Sequence, residues 1–252
     1  MTADPLSPPI VSTTQLRRVY GAGETAVHAL RGVDVSFPAG QFAAIMGPSG
    51  SGKSTLMHLL AGLDRPTSGS VIVDGAELAN LDDKALTRLR RDRLGFVFQA
   101  FNLVPVLTAE ENILLPLTLA GRKPDQEWVA TLIMAVGLGD RLDHRPAELS
   151  GGQQQRVAVA RALIHRPAVV FADEPTGNLD SRSSDEVLGL LRQAADEFRQ
   201  TVVMVTHDAH AASIVSVKTN VPATIATPMT TAKPVSAVRS FRASRPFSAT
   251  FS

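Results

Sequence analysis

The chain has no cysteine, which excludes a disulfide framework and any thiolate metal site. It has no apolar run approaching the roughly 18–20 residues that cross a bilayer. The first nine residues hold Asp4 and three prolines and lack a basic start leading into an apolar stretch, so they do not read as a secretory signal. These absences lead to an expectation of a soluble, cytoplasmic protein. Acidic residues stop at Asp208, beyond which the only charges are Lys218, Lys233, Arg239, Arg242 and Arg245. The whole chain is therefore +1 while residues 1–208 are −4. That mildly acidic body lacks the footprint of a nucleic-acid binder, and no nucleic-acid partner is expected. Residues 209–252 also hold no glycine.

Across 252 residues, 44% apolar and 19% charged composition fits a globular α/β domain. Residues 1–13 read as a disordered lead-in. Gln15–Tyr20 and Val33–Phe37 have strand composition, with Gly21–Glu24 as a turn between them. Gln41–Met46 is a short apolar run that enters a glycine-rich loop, and Ser54–Gly62 reads as the helix that follows. Gly69–Val73 with Asp74-Gly75 suggests a hairpin. Leu81–Arg93 reads as a helix and Leu94–Phe98 as a strand. Residues 100–150 change character, with helical stretches (Asp125–Val136 the clearest) punctuated by proline and glycine, and read as an inserted helical subdomain. Ser150 caps a helix running to Ile164. Ala168–Ala172 is a buried strand, Asp185–Phe198 an amphipathic helix, and Thr201–Thr206 another apolar strand. Alternating strands and helices argue for a largely parallel sheet. From Ala209 the periodicity fades.

The loop Gly47-Pro48-Ser49-Gly50-Ser51-Gly52-Lys53-Ser54-Thr55 lies between a strand and a helix. Its glycines let the backbone curl around phosphate oxygens. Lys53 suits the β- and γ-phosphates and Ser54 suits Mg²⁺. Asp173 and Glu174 end an apolar strand, where ligands sit in such sheets. Asp173 suits the outer coordination of Mg²⁺, and Glu174 a general base for an attacking water. Gln99, which could reach Mg²⁺ or the water, and His207 also follow strands. Each alone reads as an ordinary surface residue. Tyr20 offers a ring for adenine stacking, or simply packing. Leu149-Ser150-Gly151-Gly152-Gln153 opens a helix, and its bare backbone N–H groups and positive dipole end suit a phosphate.

In this order the residues resemble the ATP-binding subunit of ABC transporters over about residues 14–208. Tyr20 matches the adenine-stacking aromatic, Gly47–Thr55 the Walker A loop and Gln99 the Q-loop. Leu149–Gln153 matches the signature, and Val169–Asp173 with Glu174 matches Walker B and its catalytic glutamate. Asn178-Leu179-Asp180 matches the D-loop, and His207 the switch histidine. The resemblance implies a P-loop NTPase core with a mixed sheet, an antiparallel β-subdomain and an inserted α-helical subdomain, the domain spanning residues 14–213. It also implies ATP and Mg²⁺ as cofactors. The nucleotide is held in a homodimer by Lys53 of one copy and Ser150, Gly151 and Gly152 of the other, with Asp180 joining the sites. The further partner implied is an integral-membrane permease that seats the protein on the inner face of the membrane, at a groove near Gln99–Asn112.

Phe98–Leu103, Leu107–Asn112 and Asp173–Ser181 look in particular like the macrolide-exporter and lipoprotein-release group. In that group ATP drives export or mechanical transmission, and a cell-division permease is the neighbouring alternative. A soluble ABC ATPase acting on DNA or ribosomes is disfavoured, because only fifty residues separate Gln99 from Ser150. After Ser213 the family's closing elements and their Asp-Gly turn are missing. Residues 214–252 read as an atypical, disordered tail, either the product of a shifted reading frame, which would leave an inactive ATPase, or a basic segment for anionic lipid or a partner.

Overall fold

The computed structural model describes residues 8–215 and the backbone of 217–220. Two sheets form the frame. The first is antiparallel and joins β1 (Val11–Tyr20), β2 (Val27–Phe37), β4 (Ser68–Val73) and β5 (Ala76–Glu77) in the order β2-β1-β4-β5. The second joins β3 (Phe42–Met46), β6 (Leu94–Phe98), β7 (Val169–Asp173), β8 (Thr201–Thr206) and β9 (Val217–Asn220) in the order β6-β7-β8-β3-β9. Every pairing in that second sheet is parallel. The parallel and antiparallel strands thus fall in separate sheets.

Helices cover both faces of the parallel sheet, so its strands are apolar on both sides. In β8, Val202 and Met204 enter one core while Val203 and Val205 enter the other. Val170 and Ala172 of β7 and Phe42 and Ala44 of β3 join the first core; Val169, Phe171, Ala43 and Ile45 join the second. The period-two alternation of side chains across a strand produces this division. On the first face lie α3 (Ala109–Leu119), α4 (Gln126–Val136), α5 (Gly151–Leu163) and α6 (Ser181–Asp196). On the second lie α1 (Lys53–Leu60), α2 (Asp83–Arg93) and the antiparallel sheet.

The structure departs from the sequence reading at both ends. The first strand starts before Gln15: Ile10 N–H donates to Phe37 O, and Val11 is fully buried in the second core. The expected lead-in 1–13 therefore gives up its last residues to β1, because Val11 and Thr13 face inward while Ser12 does not. At the other end, α7 (Ala209–Ser213) closes the expected domain, and β9 extends the fold into the expected tail. β9 pairs with β3 from Ala43↔Val217 to Met46↔Asn220. The rest of the expected tail lies outside the described residues. α6 begins four residues earlier than the amphipathic pattern suggests, because Asp180 caps it by accepting from Ser183 N–H.

Candidate functional site

Four of the predicted site residues stand at neighbouring positions on one sheet edge. Gly47 follows β3, Gln99 follows β6, Glu174 follows β7 and His207 follows β8. Parallel strands bring these sequence-distant residues to the carboxyl edge, where open α/β sheets bind ligands.

The Gly47–Thr55 loop turns into α1 through Gly52, the helix N-cap, at φ 91°. This left-handed conformation suits glycine. No side chain caps α1, so its first N–H groups face an anion site with the positive end of the helix dipole. Pro48 O accepts from Lys53 Nζ at 2.9 Å and from Ser51 N–H. The ammonium is thereby drawn back over the loop, although the Lys53 side chain is largely buried. Ser49 and Gly50 complete the curl, Gly50 at φ 76°. Ser54 is exposed at the mouth and Thr55 half-buried behind it.

Two buried polar atoms here lack a protein partner: Ser51 Oγ and Asp173 Oδ1. Burial raises the Asp173 pKa, with Glu174 acting in the same direction; His58, the Ser54 hydroxyl and Lys53 oppose it. A desolvated carboxylate with an unsatisfied oxygen is costly unless a cation or donor completes it. Asp173, Ser54 and Gln99 each carry an oxygen donor of the kind Mg²⁺ takes. Gln99 Nε2 donates to Asn178 Oδ1 at 3.0 Å, and Asn178 Nδ2 donates to Gln99 O at 3.1 Å. The Gln99 amide oxygen is thus left as the acceptor. Among the described residues no cluster of three His, Cys, Asp or Glu forms a metal cage.

Glu174 sits at φ 44°, a left-handed conformation that costs a residue with a Cβ about 1–2 kcal/mol. Its N–H donates to Val205 O at 2.9 Å, and its carbonyl accepts from Gly177 N–H. The bend brings Glu174 Oε1 to 3.0 Å from His207 Nδ1. Glu174 is about a quarter exposed and His207 nearly two-thirds, so water can reach the pair. Such a pair can polarise a water and hold the base in orientation.

Other predicted residues stand apart. Ser150 Oγ accepts from Gln153 N–H at 3.3 Å, and Gln153 Oε1 accepts from Ser150 N–H at 2.8 Å. This reciprocal capping box closes the start of α5. Gly151 faces Leu179 and Phe101, and Gly152 is pressed against α6, where a Cβ would meet Ser183 Oγ at 2.6 Å. Among the described residues no hydrogen bond joins Ser150–Gln153 to Gly47–Thr55. Asp180 is tied to its own helix, and hydrogen bonds from the Ser183 N–H and then its hydroxyl hold its carboxylate below its usual pKa. Tyr20 donates its hydroxyl to Asp64 at 2.8 Å, and Arg18 lies 4.4 Å from the ring centroid. One ring face is thus covered by a cation.

Sequence reasoning missed Gln155. Fully buried in α5, it donates to Phe98 O at 3.2 Å and Pro175 O at 2.5 Å. It braces the two strand ends that carry Gln99 and Glu174. No local pattern signals this, because both acceptors come from remote parts of the chain.

A strand, phosphate loop and helix, with an acidic pair at the end of a nearby parallel strand, define a P-loop nucleoside triphosphatase. The ABC transporter family profile matches residues 30–177. The lipoprotein-releasing system ATP-binding protein LolD of Anaeromyxobacter dehalogenans is 50% identical over 213 residues, 83% of this chain and 89% of that protein. The macrolide export ATP-binding/permease protein MacB of Marinobacter nauticus is 48% identical over 82% of this chain, which spans only 32% of that protein's length. The dimeric cassette MJ0796, whose sequence is from Methanocaldococcus jannaschii, superposes with a TM-score of 0.74 at 42% identity, covering 82% of this chain and 94% of that one. A dimeric post-hydrolysis state of MJ0796 bound to ADP and Pi gives the same TM-score at 41% identity. This chain belongs to the ABC transporter family, as one of its ATP-hydrolysing cassettes.

Proposed function

We propose that this protein is the ATPase subunit that drives a membrane permease of the export or lipoprotein-release kind, working as a dimer that closes on ATP. The observation that carries the reading is the Glu174–His207 pair, 3.0 Å apart on the sheet edge that bears the phosphate loop. Gly47–Thr55 cradles the triphosphate, with Lys53 swinging from Pro48 O to the β- and γ-phosphates. Ser54, Asp173 and Gln99 are the residues assigned to Mg²⁺, which when bound neutralises phosphate charge. Glu174 takes the proton of the attacking water, and His207 orients the carboxylate. Tyr20 offers its uncovered ring face to adenine.

The signature of each chain is assigned to the partner's nucleotide. The dimeric state of MJ0796 supports this. The helix start at Gly151 and Gly152 then meets the γ-phosphate held by Lys53 of the second copy, and Asp180 lies at the junction. Hydrolysis removes that bridging charge and lets the dimer part. No described helix is long and apolar enough to cross a membrane. Through its permease we assign the chain to the cytoplasmic face. The names of LolD and MacB support that setting.

The test compares two variants by nucleotide binding and sedimentation. Glu174→Gln should bind ATP with near-normal affinity, accumulate as a dimer in ATP and lose at least about a hundredfold in turnover. Lys53→Ala should bind ATP weakly and stay monomeric. Normal turnover in Glu174→Gln would remove Glu174 as the base.

A further inference from the structure

The segment after Gln99 holds two consecutive left-handed residues, Phe101 at φ 60° and Asn102 at φ 51°. Neither is glycine, so neighbouring structure must hold the turn. The turn's own hydrogen bonds run from Phe101 N–H to Phe98 O and from Asn102 N–H to Ala100 O. Both of its carbonyls point to one side chain on α5. Arg161 Nη1 donates to Asn102 O at 2.6 Å, and Nη2 donates to Phe101 O at 2.8 Å. Arg161 makes no ion pair with any carboxylate among the described residues, and burial lowers its pKa. A desolvated guanidinium that meets only carbonyls is an expensive arrangement unless its fork is needed there.

The same turn faces the opposite end of the same helix. The Phe101 ring would lie 3.7 Å from a Cβ placed on Gly151, in the signature. Gln155, between the two, fixes Phe98 O. Two side chains of α5, Gln155 and Arg161, therefore hold the segment 98–102 on both sides of Gln99, with Gly151 facing it.

We propose that Arg161 is a positioning residue that imposes the left-handed Phe101–Asn102 turn, so that Gln99 and the signature Ser150–Gly152 move as one body. Because the phosphate loop belongs to the other core, Arg161 affects how the signature and Gln99 reach the nucleotide rather than how the nucleotide is held. This rests on the ATPase reading above, and the test separates the two. Lysine supplies one charge without the planar fork, so it can satisfy one carbonyl but not both.

The experiment uses the full chain and measures ATPase kinetics, thermal unfolding and amide hydrogen exchange of Arg161→Lys, Arg161→Gln and Arg161→Gln/Asn102→Gly. The expected result for Arg161→Lys is about a tenfold drop in kcat with KM within twofold, and faster exchange at residues 101–104. Glycine adopts the left-handed region without the steric penalty, so Asn102→Gly should restore kcat at least threefold in the glutamine background. Wild-type kcat in Arg161→Lys overturns the proposal. So does a folded Arg161→Gln that glycine does not rescue, or failure of Arg161→Lys to fold, which would make the residue purely structural. An inactive wild-type chain would count against the ATPase reading instead, and unchanged exchange at 101–104 in Arg161→Lys would still overturn the turn-holding role.

Discussion

Asp173 and Glu174 are adjacent in sequence, yet their surroundings assign them different work. Asp173 is half-buried with one orphaned oxygen and a raised pKa, caused first by burial. Glu174 is bent outward by its left-handed backbone to meet His207. The folded chain holds the Asp173 proton more readily than the unfolded chain does. This group therefore adds stability as pH falls through the raised value, and above it the charge weighs against folding in the free protein. In the proposed Mg²⁺ site the metal would need the carboxylate, so protons would compete with it. Mg²⁺-dependent ATP binding should weaken on acidification from above the usual aspartate range, and Asp173→Asn should abolish that dependence while lowering metal affinity roughly 10–100-fold. Isothermal titration across pH checks both; a wild-type profile in Asp173→Asn would rule out this role. At this scale the sequence was legible where the chemistry is local, as in Gly47–Thr55. Gln155 and Arg161 were illegible because each is an unremarkable polar residue on a helix until a distant segment folds against it.

The start of α5 shows why one element can serve two purposes. Gly152 suits a phosphate-binding helix N-terminus, but the fold itself demands glycine there. A Cβ would come within 2.6 Å of Ser183 Oγ and 2.9 Å of Ser183 Cβ on α6. Alanine favours helix by about 1 kcal/mol over glycine, whereas overpacking costs about 1–3 kcal/mol. Gly152→Ala should therefore lower the thermal midpoint despite its better propensity. Ser183→Gly in the same chain should recover part of the loss, because it removes both clashing atoms. Calorimetry of the two variants decides between clash and propensity, and a raised midpoint in Gly152→Ala would exclude the clash. The sequence marks this helix start clearly, through Ser150 and Gln153 three residues on. It marks α6 less clearly, since Asp180 draws attention as a D-loop residue while its observed bonds are those of a helix cap.

For the whole molecule, the parallel sheet depends on its last strand. β9 covers the outer edge of β3, the strand that feeds the phosphate loop. Unpaired strand edges invite association. A chain ending at Val215 should lose about 2–4 kcal/mol, from a few ladder hydrogen bonds at about 1 kcal/mol each. It should also self-associate as concentration rises, with ATP affinity reduced. Unfolding curves and light scattering against concentration check this; an unchanged midpoint would show that β9 contributes nothing. The composition of 214–252 hid this strand. It lacks the glycine turn that would announce a closing hairpin, and its pairing partner lies far back in the chain.

That topology also fixes an order of events during synthesis. Phe42 of β3 pairs with Val202, and Ala43 pairs with Val217. Both neighbours of β3 are thus made after nearly every other element. While the ribosome is still translating the helical region, the strand that leads into Gly47 has no sheet to join. Nascent chains shorter than Thr206 should consequently fail to bind ATP although Gly47–Thr55 emerged long before. The first phosphate-binding motif to be made is among the last to become a site.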